Sequence, residues 1–306
     1  MNNIIFIVGP TATGKSEVSY LLADQMKGEM VSADSMLVYK ESQITTAKPS
    51  YKILNQIKHH FVGTISVRDT YSVFDYYRSA TRIIRDLFSK GTPVIVCGGS
   101  GLYLKALLDG IFEGAGKNEG LRKKLEEQAQ LYGTEYLYDK LKNLDEPSAK
   151  RIFPQDLRRI IRALEVYYLT GTPISEKQMY SFGLYDNLPI RIFGFRLERK
   201  ELYRRIEQRV DKMFAQGVVD EVSGLRQLNL SLTSRKIIGI SEISEFLDGK
   251  IKETEALSRM KRNTRRFAKR QVTWFKKDKR IEWIGIDNLT PEQIKKIILQ
   301  KIKAGN

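Results

Sequence analysis

The stretch Gly9-Pro10-Thr11-Ala12-Thr13-Gly14-Lys15-Ser16, entered from the apolar run Ile4-Ile5-Phe6-Ile7-Val8, constrains the fold of this chain more than any other feature. A run that is apolar throughout, rather than at alternate positions, predicts a strand buried on both faces, as parallel sheets require. The glycine loop fits G-x-x-x-x-G-K-[ST] in full, and a helix is expected after it from Gly14 to Gln25, with Val18, Leu21 and Leu22 inward. Strand, loop and helix in this order aim backbone N–H groups at phosphate oxygens. Lys15 adds a point charge there, and the Ser16 hydroxyl is placed to hold Mg²⁺. Residues Gly9 to Ser16 are therefore expected to bind phosphate.

The same alternation continues. Glu29 to Ala33 reads as a short strand with Asp34 at its carboxyl end, Tyr71 to Phe88 as a helix, and Pro93 to Cys97 as a second buried strand. Gly98-Gly99-Ser100-Gly101 and a helix through Leu108 follow. This predicts an α/β fold with a P-loop NTPase-like parallel sheet core. Ligands of such sheets collect at the carboxyl ends of the strands, where Asp34, the glycine loop and Ser100 all map. Glycines from Gly110 to Gly120 mark a junction, and residues 121–169 read as helical throughout. There Leu157, Ile160, Ile161, Leu164 and Tyr168 share one helical face, and Arg158, Arg159 and Arg162 the other. A strand at Arg191 to Leu197 returns to the core. The expected organisation is a first core part (1–112), an all-helical insertion domain (113–189), and a second core part with a basic C-terminal helix (190–306).

Charge narrows the partners. The 306 residues carry a formal charge of +16, and Arg259 to Arg280 holds eleven Lys/Arg against the single acid Asp278. Phe267, Ala268, Val272, Trp274 and Phe275 recur at helical spacing, so one stripe can dock while the basic residues meet a phosphate backbone. One cysteine, Cys97, closes no disulfide and builds no zinc site, which points to a reducing cytoplasm. No apolar run approaches the ~18 residues of a bilayer span, and Ile4–Val8 is too short for a signal-peptide core. His59-His60, without carboxylates at ligand spacing, is read as structural. Cys97 is read as a small buried hydrophobe, and Tyr136, Tyr138, Tyr167 and Tyr168 as packing residues that could also stack on bases.

P-loop enzymes that hydrolyse nucleotides or act as kinases generally add an apolar strand ending in an acid that organises Mg²⁺. Here the most apolar candidate, Val94-Ile95-Val96-Cys97, ends in glycine. Either Asp34 is that acid, or the loop does not serve nucleotide hydrolysis.

Several motifs in order settle on a resemblance. They are the P-loop, Asp34-Ser35 with Tyr39, Thr46-Ala47-Lys48-Pro49, His59-His60, Gly98-Gly99-Ser100-Gly101-Leu102-Tyr103, Arg159 with Arg162-Ala163-Leu164-Glu165, and Thr264-Arg265-Arg266-Phe267-Ala268-Lys269-Arg270-Gln271 closed by Thr273-Trp274. Over nearly its whole length the chain resembles the tRNA dimethylallyltransferase (tRNA isopentenyltransferase) family. The resemblance implies transfer of a dimethylallyl group from dimethylallyl diphosphate to N6 of the adenosine 3′-adjacent to the anticodon. It implies Asp34 as base, Ser100 as support for the reacting phosphate, the P-loop on the diphosphate, and Mg²⁺ as cofactor. The target base leaves its stack to reach the centre. It further implies contact with the tRNA anticodon stem-loop by Asp34, Ser35, Met36, Leu37, Ser100, Arg122, Arg158, Arg159, Ile160, Ile161, Arg162, Arg265, Arg266, Lys269 and Arg270. No protein partner is evident, and a monomer is expected. The chain departs from the family pattern at Leu37 (usually Gln), Thr45 (Gly), Gly63 (often Asp), Phe153 (His) and Ile240-Ser241 (Tyr-Lys). The competing readings are a P-loop small-molecule kinase using ATP and a weakly active RNA-binding paralogue.

Overall fold

The computed structural model describes residues 4–112, 116–179 and 182–304, which fall into two compact units, 1–108 with 184–306 and 109–183. In chain order the first unit opens with β1 (Ile4–Val8), α1 (Lys15–Met26), β2 (Glu29–Ser32), α2 (Tyr51–Gln56), β3 (His59–His60), α3 (Val73–Ser89), β4 (Val94–Gly98) and α4 (Gly101–Asp109). The second holds α5 (Glu119–Tyr132), α6 (Thr134–Leu144), α7 (Glu146–Ala149), α8 (Leu157–Thr170) and α9 (Ile174–Met179). The chain then returns through β5 (Ile190–Arg196), α10 (Arg199–Ala215), α11 (Val218–Arg226), α12 (Ile240–Leu247), α13 (Glu253–Phe275), β6 (Glu282–Gly285) and α14 (Pro291–Ala304).

The six strands form one sheet in the order β3-β2-β4-β1-β5-β6, every pair parallel. β1 lies at its centre, paired with β4 and β5, and all five of its residues are buried. Ile4, Phe6 and Val8 face a cluster built with Tyr76, Ala80 and Ile84 of α3; Ile5 and Ile7 face one built with Val18 and Leu22 of α1 and Ile298 of α14. Helices on both faces explain why β1 is apolar at every position. The carboxyl end of β1 delivers the chain directly into the P-loop.

Local chemistry trims the sequence-expected boundaries. α3 starts at Val73 because Ser72 caps it: its Oγ accepts the Asp75 N–H while Asp75 accepts the Ser72 N–H, a capping box of about 1 kcal/mol. The stretch expected to be helical throughout is broken at Gly133 and Asp145, where φ of +84° and an Asp cap on α7 start new helices. The helical unit also begins and ends earlier than expected. Leu184 packs in the sheet core and its N–H donates to the Leu107 carbonyl, so residues 184–189 belong with the strands. His59-His60, read as structural, forms β3 beside β2; His60 Nε2 meets Glu29 Oε2 at 2.6 Å. No helix among the described residues is long and apolar enough to cross a membrane.

A third cluster joins Val38 and Tyr39 to Val210, Met213, Val222, Ile240 and Met260. It ties the segment after β2 to α10–α13 and gives the sheet's carboxyl edge a second wall.

Candidate active site and RNA-facing surface

The P-loop folds as its sequence requires. Gly9 (φ +138°) and Gly14 (φ +79°) take backbone conformations that L side chains resist, and Ala12 (φ +64°) shares the strain. Lys15 Nζ donates back to the Pro10 carbonyl at 2.6 Å, with the Thr13 hydroxyl on the same oxygen at 2.9 Å. Burial pushes the Lys15 ammonium down to about 8, opposed by the Asp34 carboxylate and aided by the Arg209 guanidinium. The side chain thus sits desolvated and charged, ready to exchange one carbonyl for phosphate oxygens. Ser16, at the start of α1, is exposed.

Asp34 lies two residues beyond β2 and folds the chain into a turn in which its Oδ1 accepts the Met36 N–H at 2.9 Å. Ser100 Oγ accepts the Ser35 N–H at 2.9 Å and donates to Ser35 Oγ at 3.1 Å, while the Ser100 N–H donates to the Ala33 carbonyl. The Gly-Gly-Ser loop therefore positions the Asp34-Ser35 turn. Burial raises the Cys97 thiol, which packs beneath this edge as a small hydrophobe.

Asp34, Ser35, Met36 and the P-loop residue Thr11 line a cleft of about 290 Å³. Arg209, Lys236 and Arg270 bring positive charge to it, and Val210, Met213, Ile237, Ile238, Met260 and Phe267 supply an apolar wall. Arg209 is a residue that sequence reasoning missed. It lies on α10, in an ordinary amphipathic pattern, and only the packing of α10 against α13 brings it opposite Asp34. Burial pulls its guanidinium below the ordinary value and the Asp34 carboxylate opposes that. Glu221 was missed as well. Its carboxylate accepts the N–H groups of Gln43, Ile44 and Thr45 and the Thr45 hydroxyl, all within 2.6–2.8 Å, and so holds the loop that brings Thr45 and Thr46 to the cleft. At the departure Thr45, the side chain thus gains a partner that glycine lacks. At Gly63 a φ of +60° suits glycine, and its N–H donates to the Leu37 carbonyl. Ile240 is buried in the third cluster.

The oxygen chemistry fits Mg²⁺. Ser16 offers a hard hydroxyl ligand, and Mg²⁺ at phosphate sites takes one or two protein oxygens and completes its shell with substrate and water. Among the described residues no trio of His, Cys, Asp or Glu could hold a metal on its own.

The basic segment ends as a helix at Phe275, so Lys276 to Arg280 lie beyond α13. Its buried face also differs from the expected stripe. Ala256, Met260, Thr264, Ala268, Gln271 and Phe275 point inward at three- and four-residue spacing, whereas Trp274 is 40% exposed and covers Gly101. Arg266, Lys269 and Arg270 are exposed; Arg265 is partnered by Glu207 at 2.5 Å.

In the helical unit Arg158 and Arg159 are exposed at the start of α8, with Arg159 also 3.4 Å from Asp156. Ile160 and Ile161 correct the expectation of RNA contact: they are 0% and 5% exposed and pack with Leu125, Leu137 and Leu164 in that unit's core. Their neighbours in sequence face solvent, but a helix turns consecutive residues about 100° apart. Arg122 and Arg162 both clasp the fully buried Glu165, at 2.7 and 2.6 Å. Burial alone would raise the Glu165 carboxyl; hydrogen bonds from Arg122, the Asn118 N–H and Arg162 outweigh it and hold it at about 2. The stabilisation is therefore complete above pH 4.5 and lost as pH falls toward 2. Glu165→Gln should cost about 2 kcal/mol at pH 7, below the ~3–5 of a fully buried pair because both arginines keep water. Chemical unfolding of the wild type and the variant from pH 7 to 2 should show the two stabilities converging with acid; a constant gap would refute the assignment.

Comparison with known proteins decides between the readings left open by the residues. A family model described as IPP transferase matches residues 37–278. The chain belongs to the IPP transferase family. A tRNA dimethylallyltransferase of Pelotomaculum thermopropionicum is 43% identical over 292 residues, covering 93% of this chain and 91% of that one. The solved tRNA isopentenylpyrophosphate transferase of Bacillus halodurans superposes with a TM-score of 0.71 at 34% identity, covering 99% and 98% of the two chains. A eukaryotic dimethylallyltransferase acting on tRNA superposes with a TM-score of 0.79 at 26% identity, covering 99% of this chain and 80% of that one. Family membership accounts for a P-loop that stands beside an apolar wall.

Proposed function

We propose that this IPP transferase family member transfers a dimethylallyl group from dimethylallyl diphosphate to N6 of the adenosine 3′-adjacent to the anticodon of tRNA. The observation that carries this reading is the cleft, whose lining combines Thr11 of the P-loop, Arg209 and Arg270 with the apolar Val210, Met213, Ile238 and Met260. A diphosphate bearing a short hydrocarbon tail matches that mixed lining. A phosphoryl-transfer kinase has no use for the apolar wall, and a non-catalytic RNA binder has none for a desolvated lysine beside a carboxylate.

The chemistry follows from the groups present. Adenine N6 is a weak nucleophile because its lone pair is delocalised into the ring. As that pair forms the new bond to C1 of the dimethylallyl group, the C1–O bond breaks and its electrons leave with diphosphate. Asp34 takes the N6 proton, help worth roughly 10²–10⁴-fold. Lys15, Arg209 and the P-loop N–H groups stabilise the charge that accumulates on the departing diphosphate. Mg²⁺, held by Ser16 when bound, supplies further charge neutralisation. Ser100 acts by holding the Asp34-Ser35 turn. Arg158, Arg159, Arg266, Lys269 and Arg270 contact the RNA backbone.

Incubation of the protein with labelled dimethylallyl diphosphate and unmodified tRNA, followed by nucleoside mass spectrometry, should yield N6-isopentenyladenosine. Label transfer from γ-labelled ATP to a small molecule, with no prenylated nucleoside, would replace this reading with the kinase. RNA affinity should also fall steeply with salt, each neutralised phosphate contributing a slope of about −0.7 to −0.9 in log K against log salt. Replacing Arg158 and Arg159 together by Ala should reduce that slope by about 1 to 2 and leave pyrophosphate binding unchanged. An unaltered slope would remove these arginines from the RNA contact.

A further inference from the structure

Gln271 occupies a place that the mechanism above does not use. It is 5% exposed on the inner face of α13, the helix whose outer face carries Arg266 and Lys269. Its Oε1 accepts the backbone N–H of Thr11, in the middle of the P-loop, at 2.9 Å. Its Nε2 donates to the carbonyl of Gly99, in the Gly-Gly-Ser loop, at 2.9 Å. One carboxamide thus bridges the two loops at the carboxyl edge of β1 and β4, from a position 260 residues along the chain from Thr11 and 172 from Gly99. Gly99 has no room for a side chain, since a Cβ there would run into Gln271 Nε2. Trp274, one turn on, lies against Gly101 in the same way, so α13 presses two consecutive turns onto this loop.

Chemistry restricts the choice at this position. One partner is a donor and the other an acceptor, so the side chain must accept and donate at the same time, in the dry interior, over a fixed span. Glutamate at neutral pH accepts only and would set a carboxylate against the Gly99 carbonyl. An apolar side chain would leave the Thr11 N–H and the Gly99 carbonyl without their partner. We propose that Gln271 is a positioning residue for the prenyl donor: it fixes the P-loop against the Ser100 loop and ties that cradle to the RNA-facing helix α13. This rests on the proposed function of the cleft. It goes beyond that reading by giving α13 a second role. The same helix that meets tRNA on its outer face holds the diphosphate loop with its inner face, so RNA bound to α13 is coupled to the diphosphate site.

The test measures inorganic pyrophosphate binding by titration calorimetry, with and without an anticodon stem-loop RNA, for wild type, Gln271→Met and Gln271→Glu, each with its melting temperature. Steady-state kinetics with dimethylallyl diphosphate accompany it. Loss of two buried hydrogen bonds predicts a pyrophosphate Kd weaker by about tenfold or more in Gln271→Met, and by more in Gln271→Glu, where a carboxylate also meets the loop that holds phosphate. The donor KM should rise in parallel while kcat for bound substrates changes by about threefold or less, because Asp34 and Lys15 remain. RNA should tighten pyrophosphate binding in the wild type and leave it unchanged in both variants. A folded variant with wild-type pyrophosphate affinity and wild-type coupling to RNA overturns the proposal, as does a fall in kcat with donor KM unchanged. Were Gln271→Met to unfold, the Gln271→Glu arm with the same readouts decides. A wild-type protein that binds no pyrophosphate would overturn the reading of the cleft itself, which is a separate result from a silent Gln271 variant.

Discussion

Asp34→Asn should lower the single-turnover rate of prenyl transfer by about 10²–10⁴-fold while tRNA and donor affinities change little, because proton removal matters chiefly in the transition state. The substitution keeps the size of the side chain and the oxygen that accepts the Met36 N–H, so the turn after β2 persists. Two other roles for Asp34 make different predictions. Were it a ligand of Mg²⁺, raised Mg²⁺ would restore part of the rate. Were it only the organiser of the turn, stability would fall by ~1 kcal/mol and the rate per folded molecule would survive. Single-turnover rates over a range of Mg²⁺ concentrations, with melting temperatures alongside, separate the three. Near-normal chemistry in the variant would sink the general-base assignment.

Lys15→Ala should depress kcat by about 10²–10³-fold and raise the donor KM, since a preorganised charge aimed at the leaving group acts mostly as that group departs. Free tRNA binding should hardly change, because Lys15 is buried beneath the P-loop. The desolvation that brings its ammonium to about 8 adds a pH signature. In the free enzyme the charged form is lost as pH rises through that value, so kcat/KM for the donor should fall on the alkaline side with an apparent pKa near 8, and the variant should lack this limb. Full turnover by Lys15→Ala at saturating Mg²⁺ would show that the diphosphate sits elsewhere.

The α/β class and the phosphate loop were legible in the residues because both are local. A strand apolar at five consecutive positions can be satisfied only between two layers, and Gly9, Gly14, Lys15 and Ser16 act through the geometry of one turn. The placement of Asp34 and Ser100 at the sheet's carboxyl edge was legible for a related reason. In a parallel sheet every strand's carboxyl end lies on the same edge, so the residue after each strand is already a site candidate. The basic stretch 259–280 announced a polyanion partner by charge alone.

What lay outside the sequence's reach depends on contacts between distant segments. The resemblance set Ile160 and Ile161 among the tRNA contacts with their arginine neighbours, but both lie on the apolar face that helical periodicity gave them and pack in the core of α5, α6 and α8. Periodicity set Trp274 in the docking stripe, whereas the buried face of α13 runs through Thr264, Ala268, Gln271 and Phe275. Arg209, Glu221 and Gln271 occupy ordinary helical positions, and nothing in their own neighbourhoods marks them. They become site residues only because α10, α11 and α13 close over the sheet edge and bring them to Asp34, to the loop at residues 43–45, and to Thr11 with Gly99. By itself the sequence determined the phosphate-binding turn, the parallel sheet and the family, because each is written in short-range patterns of residue type. Only the tertiary structure decided which charges face the cleft and which are neutralised in buried pairs such as Arg122 and Arg162 with Glu165. Burial and pairing are properties of the packed chain, in which desolvation multiplies the effect of each neighbouring charge.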